Sequence, residues 1–124
     1  MTISPAQWNT LVAAHAGHLL QSWAWGELKS RFGWRVERLQ VEGAAVQLLF
    51  RQLPLGLTIA YVPKGPLLDW ANHRQAETLL AAIHTTAKKQ RAIFLKIEPA
   101  GGLADDPSGQ AAAFLTGQGF HPAD

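Results

Sequence analysis

Lys29, Tyr61, Lys64, Gly65 and Asp69 are the residues of this 124-residue chain whose types and placement suit chemistry on a charged substrate. Lys29 follows Trp25 by four residues and falls late in an expected helix. Its long stem can carry an ammonium to a phosphate as a point charge. The same position also suits a solvated lysine that answers the negative end of the helix dipole. Tyr61, Lys64 and Gly65 belong to a proline-bounded turn, Tyr61-Val62-Pro63-Lys64-Gly65-Pro66, that leaves a strand. Ligand groups collect where neighbouring strands of an open sheet part, so the turn offers a phenol as hydrogen-bond donor and an ammonium to anions. It reads equally as an ordinary turn with a packing tyrosine. Asp69 is placed to position or deprotonate an incoming amine. Positioning ranks first, because a carboxyl with a pKa near ~4 is a poor base. Its alternative role is to favour the positive end of the next helix.

Other chemistries find little support. The chain has no cysteine, which removes disulfides, thiolate metal sites and cysteine nucleophiles, and fits a reducing compartment. Its histidines, at 15, 18, 73, 84 and 121, offer only His15-x-x-His18 as a ligand pair, and two ligands do not make a metal site. Asp105-Asp106 reads as a solvated turn. No metal or redox cofactor is expected. The tryptophans at 8, 23, 25, 34 and 70 are assigned to packing rather than to stacking on bases or sugars, since three gather where a helix meets the first strand. A net charge of +2 scattered along the chain does not by itself indicate nucleic-acid binding. No segment approaches the ~18 to 20 apolar residues of a membrane span, and the start lacks a basic leader, so a soluble cytoplasmic protein is expected.

The elements that must hold these residues follow from periodicity and punctuation. Ser4-Pro5 opens a helix that ends near Gly17, and Ser22 caps a second helix with Trp25, Leu28 and Phe32 on one face. Trp34–Val41, a turn at Glu42-Gly43 and the apolar run 44–53 form a hairpin; 57–62 adds a third antiparallel strand. Asn72 caps a long helix to about Arg91, with Ala76, Leu79, Leu80, Ile83 and Ala87 on its buried face. Ala92–Glu98 then reads as a central strand completing a βαβ crossover, and a last helix follows, capped by Asp106 or Ser108. With 48% hydrophobic and only 16% charged residues, one core is expected, with apolar surface left over. The fold class is α+β, a mixed sheet with flanking helices.

Three stretches, Leu20-Gln21-Ser22-Trp23-Ala24-Trp25-Gly26-Glu27-Leu28-Lys29 with Gly33-Trp34, Tyr61 through Asp69, and Phe94-Leu95-Lys96-Ile97-Glu98-Pro99, resemble the FemABX peptidoglycan-bridge aminoacyltransferases. The resemblance implies a GNAT-like domain (the acyl-CoA N-acyltransferase fold) whose sheet is incomplete at the C-terminal end. Residues 1–124 would then be the amino-terminal part of a longer two-domain enzyme. It implies transfer of an amino acid from aminoacyl-tRNA, as co-substrate, to the stem peptide of a nucleotide- or lipid-linked muramyl-peptide. Lys29, Tyr61, Lys64 and Gly65 would bind the precursor, the proline-bounded turn and Lys29 forming one anion-receptive corner; Asp69 would serve the amine. Transfer RNA would bind through the missing part, and a free sheet edge would allow a dimer. The rival readings are an acyl-CoA N-acyltransferase and a non-catalytic interaction module. The first is disfavoured because Pro66 lacks an amide donor and Asp69 would repel phosphate where that fold cradles coenzyme A.

Overall fold

The structure, a computed structural model, describes residues 3–15, 17–99 and 109–121. Helix α1 spans Pro5–Ala14 and α2 Trp23–Ser30; β1 (Trp34–Val41), β2 (Ala44–Gln52) and β3 (Thr58–Pro63) follow. Helix α3 (His73–Lys89), β4 (Ala92–Glu98) and α4 (Gln110–Gly117) complete the order. The sheet runs β1-β2-β3-β4, antiparallel except for the parallel β3–β4 pair that α3 connects. This is the α+β mixed sheet and the GNAT-like order that the sequence predicts. The cap expected at Asp106 or Ser108 and the Asp105-Asp106 turn lie outside the described residues, and Gly109 is the N-cap of α4.

Alternation along the strands assigns the two faces. Ala44, Val46, Leu48 and Phe50 of β2, with Ala60 and Val62 of β3, point to one face, where the buried stripe Ala76, Leu79, Leu80, Ile83 and Ala87 of α3 covers them. On the other face α1 and α2 cover β1 and β2: Trp8 packs on Ala45 and Leu67, and Arg38 and Gln47 reach up to α2. Gly26 permits that approach. A methyl there would fall 2.6 Å from an Arg38 guanidinium nitrogen and closer still to Gln47 Oε1.

Three expectations are corrected. Helix α1 ends at Ala14 rather than near Gly17, because His15 leaves helical geometry (φ −99, ψ 11) and the Gly17 amide reaches back five residues to Val12 O. In α2 the face with Leu28 looks outward, Leu28 being 43% and Phe32 70% exposed, and Phe32 lies beyond the helix. Among the described residues β4 is not a central strand but the free edge expected of an incomplete sheet, so Ile93 and Phe94 of its apolar run are exposed.

Candidate functional site

The loop 64–69 leaves the C-terminal end of β3, beside the C-terminal end of its parallel neighbour β4. Ladder pairing sets Tyr61 against Lys96 and Pro63 against Glu98, so alternation puts Tyr61, Lys96 and Glu98 on one face. There Glu98 gathers the cluster: one carboxylate oxygen accepts from the Tyr61 hydroxyl at 3.3 Å, and the other meets Lys64 Nζ at 3.3 Å. Lys96 Nζ lies 5.8 Å from the Tyr61 ring centroid. Burial first, and the Glu98 charge and hydrogen bond next, push the Tyr61 phenol above its ordinary 10.0, which keeps it a proton donor. One ammonium, Lys64, thus pairs with the Glu98 carboxylate at a half-buried strand end, and a second, Lys96, stands over the Tyr61 ring beside it, leaving an excess of positive charge for an anionic ligand.

Gln21 holds the loop open. Between β2 and the chain leaving β3, antiparallel pairing stops at Leu49–Tyr61 and returns only at the isolated Ala45–Leu67 bridge, in a shifted register. The Gln21 amide fills the gap: Nε2 donates to Pro63 O at 2.7 Å and to Gln47 O at 3.2 Å, while Oε1 accepts from Gln47 N at 2.8 Å. A side chain here supplies the bonds a neighbouring strand would make, so the buried backbone stays satisfied although the chain departs from the ladder. Gly65 gives it room, since a methyl at that position would sit 2.8 Å from Gln21 Cδ. The Gly65–Pro66 bond is cis, and Gly65 N donates to Glu98 O at 3.0 Å.

Lys29 and Asp69 stand apart from this cluster. Lys29 Nζ lies 5.2 Å from the Trp25 ring centroid and 5.8 Å from that of Trp34, the first residue of β1. The loop 63–65 meets the chain at Gln21, ahead of the opposite end of α2, so Lys29 and Lys64 share a sheet face without touching. Asp69 accepts from Ala71 N at 3.0 Å through its carboxylate and shapes the turn into α3, and its own N donates to Gln75 Oε1. Gln75 in turn donates to Glu42 O in the β1–β2 turn, a full strand length from Trp34, about 23 Å. Of the tryptophans, Trp8 is buried in the core, Trp23 lies under the Arg38 guanidinium at 3.6 Å and Trp70 packs against Phe114, while Trp25 and Trp34 face the Lys29 ammonium.

Sequence reasoning gave no role to Gln21, Lys96 or Glu98, although all three lie in stretches it singled out. Period-two alternation of Lys96 and Glu98 beside Tyr61 was the available signal for the last two. Gln21 carried none, because its role depends on a break in a distant ladder. Among the described residues no group of three or more histidines and carboxylates gathers to hold a metal.

Comparison with known proteins places this geometry in a group. The model of the FemAB family matches residues 3–114. A lipid II:glycine glycyltransferase of Staphylococcus saprophyticus subsp. saprophyticus is 34% identical over 97% of this chain, which spans 30% of that protein. One from Staphylococcus aureus is 34% identical over 80% of the chain and 25% of its own length. A crystal structure of FemX superposes with a TM-score of 0.85 at 30% identity, over 98% of this chain and 31% of that one. The chain therefore spans about a third or less of the relatives it matches.

Proposed function

The chain belongs to the FemAB family, and on that premise we propose that it is the precursor-binding part of an enzyme that adds an amino acid to the stem peptide of a peptidoglycan precursor. The curated relatives are named for glycine transfer to lipid II, which supports a lipid-linked muramyl-peptide as acceptor. Aminoacyl-tRNA is the donor in this reading, and the remaining length seen in the relatives supplies the rest of the active site in a second domain. The work is done at the cytoplasmic side, where both substrates meet.

The observation that carries the reading is the Tyr61–Glu98–Lys64 cluster with Lys96 at the C-terminal end of the parallel strands. A diphosphate oxygen can take Lys64 from Glu98 as a charge-assisted partner, and the protonated Tyr61 hydroxyl can donate to the same ligand. Lys29 reaches a more distant part of the ligand from its perch on Trp25 and Trp34. Asp69, tied into the turn before α3, can orient the acceptor amine without leaving its backbone contact, which favours positioning over proton abstraction. Amide formation needs an amine held against an activated ester, and no metal or redox group enters.

Calorimetry with a nucleotide-linked muramyl-pentapeptide tests this. Binding by the full chain that weakens about tenfold in Lys64→Ala, and severalfold in Tyr61→Phe, is the expected result. Equal affinity in both variants would remove the site. Protection by coenzyme A in place of the precursor would transfer the chain to the acyl-CoA enzymes.

A further inference from the structure

We propose that the end of the molecule built by the α2–β1, β2–β3 and α3–β4 connections docks on an anionic phospholipid bilayer. Strand register brings these three connections together: Trp34 pairs with Arg51, Gln52 with Thr58, and Thr58 with Ala92, while Thr58 also bonds Gln90 O at the end of α3. Two apolar side chains project from the tips. Phe32 is 70% exposed in the first connection and Leu55 88% exposed in the second. Leu55 holds φ +67, a left-handed conformation that glycine adopts at less cost, so an aliphatic group stands at the tip against a backbone penalty.

Around these tips lie exposed cations without a carboxylate partner. Arg31, Lys88, Lys89 and Arg91 belong to the same end, and among the described residues none of them forms an ion pair. The ion pairs of the described residues are Arg38–Glu27, Lys64–Glu98 and Arg74–Glu42, all away from the tips. Glu37, the carboxylate on the inner part of β1, faces Gln90 Nε2 at 3.5 Å. Cations ringing protruding apolar groups match an anionic headgroup layer over an acyl interior: the charges attract the surface, and Phe32 and Leu55 enter the boundary beneath it. A nucleic acid would use the same cations but gains nothing from Leu55, which has no stacking face. This inference is independent of the transfer reaction proposed above.

Cosedimentation of the full chain with vesicles of mixed phosphatidylcholine and phosphatidylglycerol, against vesicles of phosphatidylcholine alone, tests it. Binding to the mixed vesicles only, weakening with added salt, is expected. Lys88→Gln and Lys89→Gln should each weaken partitioning about fivefold, and Phe32→Ser about tenfold. Leu55→Gly should also weaken it about tenfold, while relieving the backbone and so leaving the fold intact. Absence of binding to the mixed vesicles at low salt overturns the proposal, as does unchanged binding in folded Leu55→Gly. Retention by transfer RNA in preference to vesicles, insensitive to Leu55→Gly, assigns the surface to nucleic acid and overturns it equally.

Discussion

The primary amide of Gln21 stands between β2 and β3 where a peptide group would otherwise sit, with both its nitrogen and its oxygen engaged by backbone. Shortening it to alanine strands Gln47 N, Gln47 O and Pro63 O in a buried place. Each orphaned group costs on the order of 1–3 kcal/mol, and partial refilling by water limits the sum, so Gln21→Ala should lose about 3 kcal/mol in urea unfolding. Gln21→Glu should be no better, because a carboxylate cannot donate to Pro63 O. A loss under ~1 kcal/mol in the alanine variant would mean that the loop holds itself open. Tyr61 allows a cleaner reading, being the chain's single tyrosine. Its ultraviolet titration should have a midpoint above 10.0, and Glu98→Gln should lower that midpoint without returning it fully, since burial is the larger cause. A raised phenol pKa favours the neutral form in the fold. The stability it contributes is therefore complete below 10.0 and is lost as pH climbs through the folded value. A midpoint unmoved by Glu98→Gln would show that the carboxylate does not act on the phenol. Neither Gln21 nor Glu98 was legible as a partner from sequence, because each acts on residues more than 25 positions away, through a register that only pairing reveals.

Among the elements, α3 was the most readable and α2 the least. Seventeen residues of α3 repeat the apolar spacing often enough to fix its buried face, and Asn72 caps it through the Gln75 amide at 3.1 Å. Asn72→Ala should cost about 1 kcal/mol, measured by thermal unfolding. Helix α2 has eight residues, too few for a period to separate the face that packs from the one that does not. Its packing is decided by Gly26, which lets the helix backbone rest against Arg38 and Gln47. Gly26→Ala gains helix propensity of about 1 kcal/mol but must push Gln47 from its bond to Ser22 O, so a net loss of about 1–3 kcal/mol is expected. A stabilised variant would show that α2 sits more loosely on the sheet than these contacts require. Strand β4 was legible as a strand from its apolar run, which looks alike in a central or an edge place, while the free edge it forms was legible only from the incomplete order of the sheet.

At the scale of the molecule, the sheet separates the charged groups that sequence reading had gathered into one corner. Lys29 belongs to the end of the sheet where β1 begins, and Lys64 to the far side of the same face, two strands across and about five residues along, since Trp34 is level with Arg51 and Ile59. Strand spacing and rise make the gap on the order of 20 Å. A ligand touching both must be extended, with one anionic group near Glu98 and another polar group near Trp25 and Trp34. Two sites so far apart, with no shared partner, should contribute independently. The losses in precursor affinity from Lys29→Ala and Lys64→Ala should then add to within ~0.5 kcal/mol in the double variant. Two lysines clasping one phosphate would behave otherwise, since removing the first would leave the second to compensate and couple them by ~1 kcal/mol or more. Calorimetry on the four proteins of this cycle distinguishes an extended binding surface from a single anion pocket. Strong coupling would require α2 to shift along the sheet on binding, against the bonds Arg38 and Gln47 make to Trp23 O and Ser22 O.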